Sequence, residues 1–388
     1  MINLKNFYQQ TERRYKKREI NLDSEEIKTF IDNLYQQAKQ NYSKLPNPKF
    51  CSQKAYIILW INQEISKDIA RKSLKSFDIN QPPDNFKAVA EFYKSYPPQS
   101  FSKFKTKESN NLNDKTQKWL AVVKERNQFS FNKGYKSRLD MYFDDFHIPQ
   151  SEYKKFLKNV NKVINFCKKQ IYSKWNPKPN QNLDNYCLVC NFNIFPFKKI
   201  NDFLIFFERK NKFYKKNKNK IKIEFTNESR TEYIGENDTF KITINKNTHI
   251  NHQIIELIHE FGHVETMAKI FNQDKFIQPK AYFLEKLAIK KEVNFLKKYY
   301  PKVLIAREGN ILRMVYQTLF EIEIYQNPNE NPNKIYLKYL KKCSQNTTQS
   351  DSWNYLSNQD ILYKCFTQLI YAISYTNILN NLITDPPK

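Results

Sequence analysis

Read by where its apolar residues recur, the chain opens as a run of helices. Ile27, Phe30, Ile31, Leu34 and Ala38 repeat at helical spacing, behind the cap candidates Asp23 and Ser24 and the early acids Glu25 and Glu26. Segments 52–77 and 85–95 predict further helices, separated by the breaker INQPPDN and followed by SYPPQS. The polar stretch 100–115 predicts a loop. After Gly134, the series Tyr153, Phe156, Leu157, Val160, Val163, Ile164 and Cys167 predicts an amphipathic helix entered through Pro149 and Ser151.

Around 173–185 the composition turns to Pro and Asn, which reads as a boundary. Beyond it, Phe203–Phe207, Ile221–Phe225, Glu232–Ile234 and Phe240–Ile244 are short β-branched or aromatic runs between polar turns, and they predict a small antiparallel sheet. The basic insert RKNKFYKKNKNK between the first two runs reads as a hairpin loop. Helices then follow over 251–271, 281–299, 307–325, 334–343 and 359–383. The expected architecture is mainly α with one small sheet, divided into a helical N-terminal region, residues 1–185, and a C-terminal region, residues 186–388.

Composition changes this picture little. The chain has 388 residues, 40% of them hydrophobic, enough for a substantial core. Its formal charge of +26 would suit nucleic acid or an anionic membrane, but only ten of the 65 basic residues are Arg. Recognition of phosphate favours the Arg fork. The charge therefore reads as lysines on solvated helix faces, and neither a nucleic-acid nor a membrane partner is expected. No secretory h-region or membrane-spanning run is visible, and six Cys do not make a disulfide framework, so a cytoplasmic location is expected. Cys187-Leu-Val-Cys190 lacks a second Cys or His pair at zinc-ribbon spacing and reads as packing.

The chemistry lies in IIELIHEFGHVETMAKI, which contains His259-Glu260-Phe261-Gly262-His263. Four residues apart on a helix, two imidazoles share a face and can reach one metal ion. With five His and 39 acidic residues in the chain, chance would give roughly 0.006 such motifs. The neighbouring residues Ile254, Ile255, Leu257, Ile258, Phe261, Val264, Met267 and Ala268 make the helix apolar nearly all round, hence buried. Two His and a Glu in such a place need a strong partner, and a metal supplies one. Zinc lowers the pKa of a bound water towards roughly 7, and Glu260 is placed as the base that takes its proton. One zinc per chain is expected.

Such a site needs a third protein ligand. No His lies downstream, so a carboxylate of the next helix must supply it. Glu285, on that helix, comes 22 residues after His263, room for the chain to turn and return. Glu292, seven residues further on the same face, is expected to hydrogen-bond a ligand His. Glu265 falls on another face of the motif helix. His249 and His252 read as capping or surface residues, and His147 is unassigned.

These residues resemble the thimet oligopeptidase and oligoendopeptidase F group of zinc peptidases: HEFGH, then Glu285, then Glu292. Tyr316-Gln-Thr-Leu-Phe320 and the terminal LIYAISYTNIL are similar to further segments of that group, over roughly 240–380. The resemblance implies a zincin-like helical peptidase whose sheet lies beside the active-site helix and whose N-terminal region, residues 1–185, forms one wall of a cleft. It implies short or unstructured peptides as substrate, and Tyr371 as the donor to a developing oxyanion, ahead of Tyr375 and Tyr363. The chain departs from the group at Lys286 and Leu287, where a Pro-Ser pair stands, and at Asp360, Thr367 and Ser374; it is also shorter. Two other readings stay open: a metallocarboxypeptidase of similar fold, which would need a basic residue in the cleft, and a zinc-binding pseudo-peptidase with a scaffold role.

Overall fold

The computed structural model describes residues 91, 92, 95, 109–179, 181–184, 186–191, 194–233, 239–273, 281–358, 361 and 365–384. The chain divides into two compact units, Met1–Gln81 with Lys269–Pro279, and Pro82–Ala268 with Lys280–Lys388. All described residues fall in the second unit, apart from the end of one helix. The helices expected over 24–38 and 52–77 and most of 85–95, together with Asp360 and Tyr363, lie outside the described residues.

Helix α1 spans Ser109–Asn132, α2 Arg138–Asp145, α3 Gln150–Tyr172 and α4 Leu188–Asn191. The segment expected to be a loop is thus helical from Ser109. Trp119, Val122, Val123, Arg126, Asn127 and Ser130 recur three and four residues apart and are buried, which is a helical stripe. Gly134 has φ +87 and lets the chain turn sharply out of α1. In α3 the residues Phe156, Val160, Val163, Ile164, Cys167 and Ile171 form the buried face, as their spacing predicts.

Two sequence expectations fail next. Residues 203–207 are not a strand: α5 covers Ile200–Lys210, burying Ile200, Phe203 and Phe207 at helical spacing and leaving Ile205 exposed. Aromatic and β-branched content suggested strand, but the apolar period is that of a helix. Nor is the basic insert a hairpin loop. It forms α6, Lys212–Asn217, whose first turn is capped by the Asn211 side chain accepting from the Tyr214 amide, and a 3₁₀ turn at Lys218–Lys220.

The sheet has three strands, β1 Ile221–Thr226, β2 Arg230–Tyr233 and β3 Phe240–Asn245, in the order β1-β3-β2. It is mixed rather than antiparallel: β1 pairs parallel with β3 (Ile221 with Phe240), β2 antiparallel (Tyr233 with Phe240). β3, central in the order, is buried on both faces, with Phe240, Ile242, Thr243 and Ile244 almost inaccessible.

Helix α7 then spans Ile250–Gln273, α8 Ala281–Tyr299, α9 Pro301–Gln326 and α10 Pro332–Cys343; a 3₁₀ stretch follows at Gln349–Ser357, and α11 covers Leu369–Thr384. α9 is the axis of the unit: it packs on α3, α8, α10 and α11, and its buried residues run round the whole helix. Pro301 and Pro332 start α9 and α10 where a missing amide is harmless. α11 begins later than expected, at Leu369. Among the described residues no helix is long and apolar enough to cross a membrane.

Candidate metal centre

Helix α7 carries the HExxH segment, and its burial follows from its apolar surround. Phe261 stacks on Phe207 of α5 with ring centroids 4.7 Å apart and meets Tyr214 of α6 at 4.8 Å. On its other side Gly262 allows a close approach to α8: a Cβ built there would lie 2.7 Å from the Cα of Ala288 and 3.0 Å from its carbonyl oxygen. Only a glycine lets the two backbones come this near. Glu285 stands one turn before Ala288, so this contact delivers its carboxylate to the histidines. Glu265, on another face of α7, pairs with Lys291 of α8 at 2.5 Å.

The structure brings His259, His263 and Glu285 together. The two histidine Nε2 atoms are 3.1 Å apart; Glu285 Oε2 lies 3.1 Å from His259 Nε2, and Oε1 3.5 Å from His263 Nε2. Tetrahedral N and O ligands 2.0–2.2 Å from a zinc ion stand roughly 3.3–3.6 Å from one another. The observed triangle, with sides of 3.1, 3.1 and 3.5 Å, comes within about 0.2 Å of that size. Its donors also call for a cation. His259 Nδ1 faces Glu292 Oε2 at 3.1 Å, so the ring proton belongs on Nδ1 and leaves Nε2 as a lone pair aimed at a carboxylate. Lone pair facing carboxylate is repulsive unless a positive charge sits between them. With a proton as that charge, burial works against the His259 imidazolium, but Glu285 and Glu292 outweigh it and hold its pKa up at about 10. Burial likewise opposes ionised Glu285, and the two histidines prevail and hold its pKa well below the usual range. The three side chains fit a divalent metal.

Around them is a support that spacing only partly announced. Glu292 is completely buried. It accepts from His259, from Tyr375 Oη at 2.7 Å and from Arg307 Nε at 3.1 Å. Arg307 also donates to Tyr375 Oη at 2.9 Å. Burial disfavours Glu292's charge, yet Arg307 and His259 keep it ionised. Tyr375 is thus locked beneath the site, whereas Tyr371 lines the cavity with its ring 6.3 Å from that of His259. Burial, then the nearby Glu285 and Glu260 carboxylates, raise the Tyr371 pKa far above its ordinary value, so it remains a proton donor.

Glu260 is fixed from the sheet. Thr231 Oγ1 on β2 donates to Glu260 Oε2 at 2.6 Å, and just before that strand Ser229 Oγ donates to Glu256 Oε2 at 2.5 Å. The sheet therefore lies beside the HExxH helix. The open cavity between them, lined also by Glu285 of α8, Arg307 of α9 and Tyr371 of α11, measures about 530 Å³. Next to Glu285, Lys286 reaches Glu152 of α3 at 2.7 Å, and Glu152 also accepts from Tyr282 and Asn377, tying α8 to α3 and α11.

Of the remaining histidines, His147 is exposed with φ 53 at the end of α2, and His249 Nδ1 accepts from the Asn251 amide at 3.2 Å. His252 is neither cap nor surface residue: it lines the cavity, and burial followed by Arg307 pushes its pKa down to about 4. Sequence reasoning missed Arg307, Thr231 and the placement of His252. Arg307 did leave a signal, being an Arg within an apolar helix of a chain whose cations are overwhelmingly Lys.

No family model matches the sequence, and no curated protein matches it. Solved structures do. PZ peptidase A, with an inhibitor, aligns over 98% of this chain and 87% of its own at 13% identity and a TM-score of 0.53. A Bacillus anthracis str. Ames structure provisionally described as an oligoendopeptidase F aligns over 92% of this chain and 74% of its own, at 11% identity and a TM-score of 0.44, too low to carry an argument. At such identity the likeness concerns architecture alone: this chain has a helical fold like that of PZ peptidase A.

Proposed function

We propose that this chain is a zinc-dependent metallopeptidase that hydrolyses short or unstructured peptides. The observation that carries the reading is the convergence of His259 Nε2, His263 Nε2 and the Glu285 carboxylate within 3.5 Å of one another, beside Glu260 in one cavity. His259, His263 and Glu285 would hold the zinc ion, which when bound would supply a Lewis acid for a peptide carbonyl and for a water. The likeness of fold to a peptidase is consistent with this reading.

The chain's own residues supply the rest. Thr231 holds Glu260 Oε2, leaving Oε1 as the carboxylate oxygen that takes a proton from the attacking water. Glu260 then returns the proton to the leaving amine. Tyr371, protonated at any working pH, donates to the oxygen of the scissile carbonyl as negative charge develops there. Glu292, braced by Arg307 and Tyr375, holds the His259 ring in the tautomer whose Nε2 faces inward. β2 is an edge strand of the sheet, and Ser229, Arg230 and Thr231 line the cavity, so an extended peptide is placed to run beside it.

Of the two arginines lining the cavity, Arg307 is committed to Glu292 and Tyr375, whereas Arg230 forms an exposed pair with Glu228 at 2.6 Å. Cleavage within peptides needs no cation for a substrate carboxylate, so C-terminally amidated peptides should be cleaved; a carboxypeptidase would hold that carboxylate on Arg230 and spare them. Glu260→Gln should retain zinc and lose 10²-fold or more of the cleavage rate on quenched peptides, roughly the worth of a general base. Cleavage by Glu260→Gln at the wild-type rate would overturn the assignment. Wild-type protein that binds zinc yet cleaves no peptide would leave the scaffold reading.

A further inference from the structure

A second cluster of metal-ligating side chains joins His252, on the first turn of α7, to Cys187 and Cys190 at α4. The sulfurs of Cys187 and Cys190 are 2.9 Å apart, and Cys187 Sγ lies 3.2 Å from His252 Nε2. The three ligand atoms all fall within 4.8 Å of one another. We propose that Cys187, Cys190 and His252 form a second divalent-cation site, selective for zinc or another thiophilic ion and separate from the one formed by His259, His263 and Glu285.

The cluster is built, not incidental. Asn251, the residue before His252, is buried, and its Nδ2 donates to Val189 O at 2.8 Å, fastening the Cys-X-X-Cys turn to the start of α7. Leu188 is buried against Gly309 of α9, where a Cβ would come within 2.6 Å of its Cδ1. The two residues between the cysteines are thus pinned from both sides, with Cys187 Sγ against the imidazole and Cys190 Sγ within 4.8 Å of it. The Cys190 amide donates to Cys187 Sγ at 3.4 Å, a contact that stabilises a thiolate.

Cys187 and Cys190 are free thiols whose sulfurs, 2.9 Å apart, stand between the spacing of a disulfide and that of two metal-bound thiolates. A disulfide holds its sulfurs roughly 2.05 Å apart. Thiolates at 2.3 Å from a tetrahedral zinc stand roughly 3.8 Å apart, and a sulfur and an imidazole nitrogen roughly 3.6 Å. The cluster therefore needs to open by less than about 1 Å, within the reach of Cys χ1 rotation. Two sulfurs and one imidazole are a soft ligand set, which selects zinc over magnesium or calcium. Three protein ligands leave one position open, to water or to a group entering the cavity that His252 lines. His252 precedes His259 by seven residues, so both occupy one face of α7 about two turns, roughly 10 Å, apart. The metal content expected per chain rises from one ion to two.

The test is cobalt(II) titration of the full chain, kept reduced and first stripped with a chelator. The HExxH site has no sulfur, so a thiolate-to-cobalt charge-transfer band in the near ultraviolet reports the second site alone. The band should appear in wild type, survive in His263→Ala, and vanish in Cys190→Ser together with one of two bound cobalt equivalents. A wild-type spectrum lacking the band under saturating cobalt overturns the proposal without recourse to any variant. If Cys190→Ser fails to fold, alkylation of wild type decides: zinc should protect Cys187 and Cys190 from iodoacetamide at least 10-fold, and equal labelling with and without zinc overturns it. Failure of the peptidase reading would leave the band intact.

Discussion

Gly262→Ala is the smallest change that should separate the two halves of the HExxH centre. A methyl at this position would sit 2.7 Å from the Cα and 3.0 Å from the carbonyl oxygen of Ala288. Ordinary carbon contacts lie at roughly 3.5–4.0 Å, so α8 must move away by about 1 Å. The obstacle is backbone, and no side chain can swing aside. Because Glu285 rides on α8 one turn earlier, its carboxylate moves with the helix, whereas zinc–ligand distances tolerate only about 0.2 Å. Against this, Ala improves on Gly within a helix by about 1 kcal/mol, while overpacking costs about 1–3 kcal/mol. Net stability should change by no more than about 2 kcal/mol. Zinc affinity and cleavage should fall about 100-fold, the usual consequence of a 1 Å misplacement. Chelator competition measures the first, quenched-peptide hydrolysis the second, and thermal melting serves as control. Gly262→Ala with wild-type zinc affinity and rate, and a raised Tm, would refute the argument that this contact positions Glu285.

Other outcomes follow from the same geometry. Glu308 is 3% exposed, its Oε2 has no hydrogen-bond partner, and burial lifts its pKa from 4.5 to about 8. The folded chain thus keeps a proton that the unfolded chain releases above about pH 4.5, so stability falls as pH rises between those values, by at most about 1.4 kcal/mol per unit, and levels off above about 8. Glu308→Gln should flatten that part of the wild-type melting-temperature profile and melt higher at pH 8; an unchanged slope would contradict this. Arg307→Met leaves Glu292 buried with less compensation and should lower stability by about 3–5 kcal/mol in urea denaturation. The same variant should weaken zinc binding 10–100-fold in chelator competition, through a loosened His259. Tyr371→Phe should lower kcat by about 10²–10³-fold with zinc content unchanged, and a loss confined to KM would remove Tyr371 from the oxyanion role.

What could be read from the sequence was what is encoded locally. The helices α7, α8, α9 and α10 emerge from the 3.6-residue period, and the HExxH spacing places two imidazoles on one face without any tertiary information. Glu285 followed from the need for a carboxylate ligand on the returning helix and Glu292 from its place on the same face seven residues later; each has an oxygen 3.1 Å from a His259 ring nitrogen. Segment 200–210 shows how composition misleads: its Phe and Ile content suits a strand, yet only Ile200, Phe203 and Phe207 are buried, a helical stripe. Register is a long-range property, and the parallel pairing of β1 with β3 left no mark in either strand. The same holds for Thr231 on Glu260, Arg307 on Glu292 and His252 on Cys187, which are contacts across 29, 15 and 65 residues. The Cys-X-X-Cys pair looked isolated because its histidine partner lies far along the chain, where no local spacing rule reaches.

The account rests on one divalent ion held jointly by α7 and α8. Anomalous scattering at the zinc absorption edge, from zinc-loaded crystals, measures this directly. A peak roughly 2.0–2.2 Å from His259 Nε2, His263 Nε2 and a Glu285 oxygen is the predicted result. Crystals saturated with zinc that show no peak there would contradict the account.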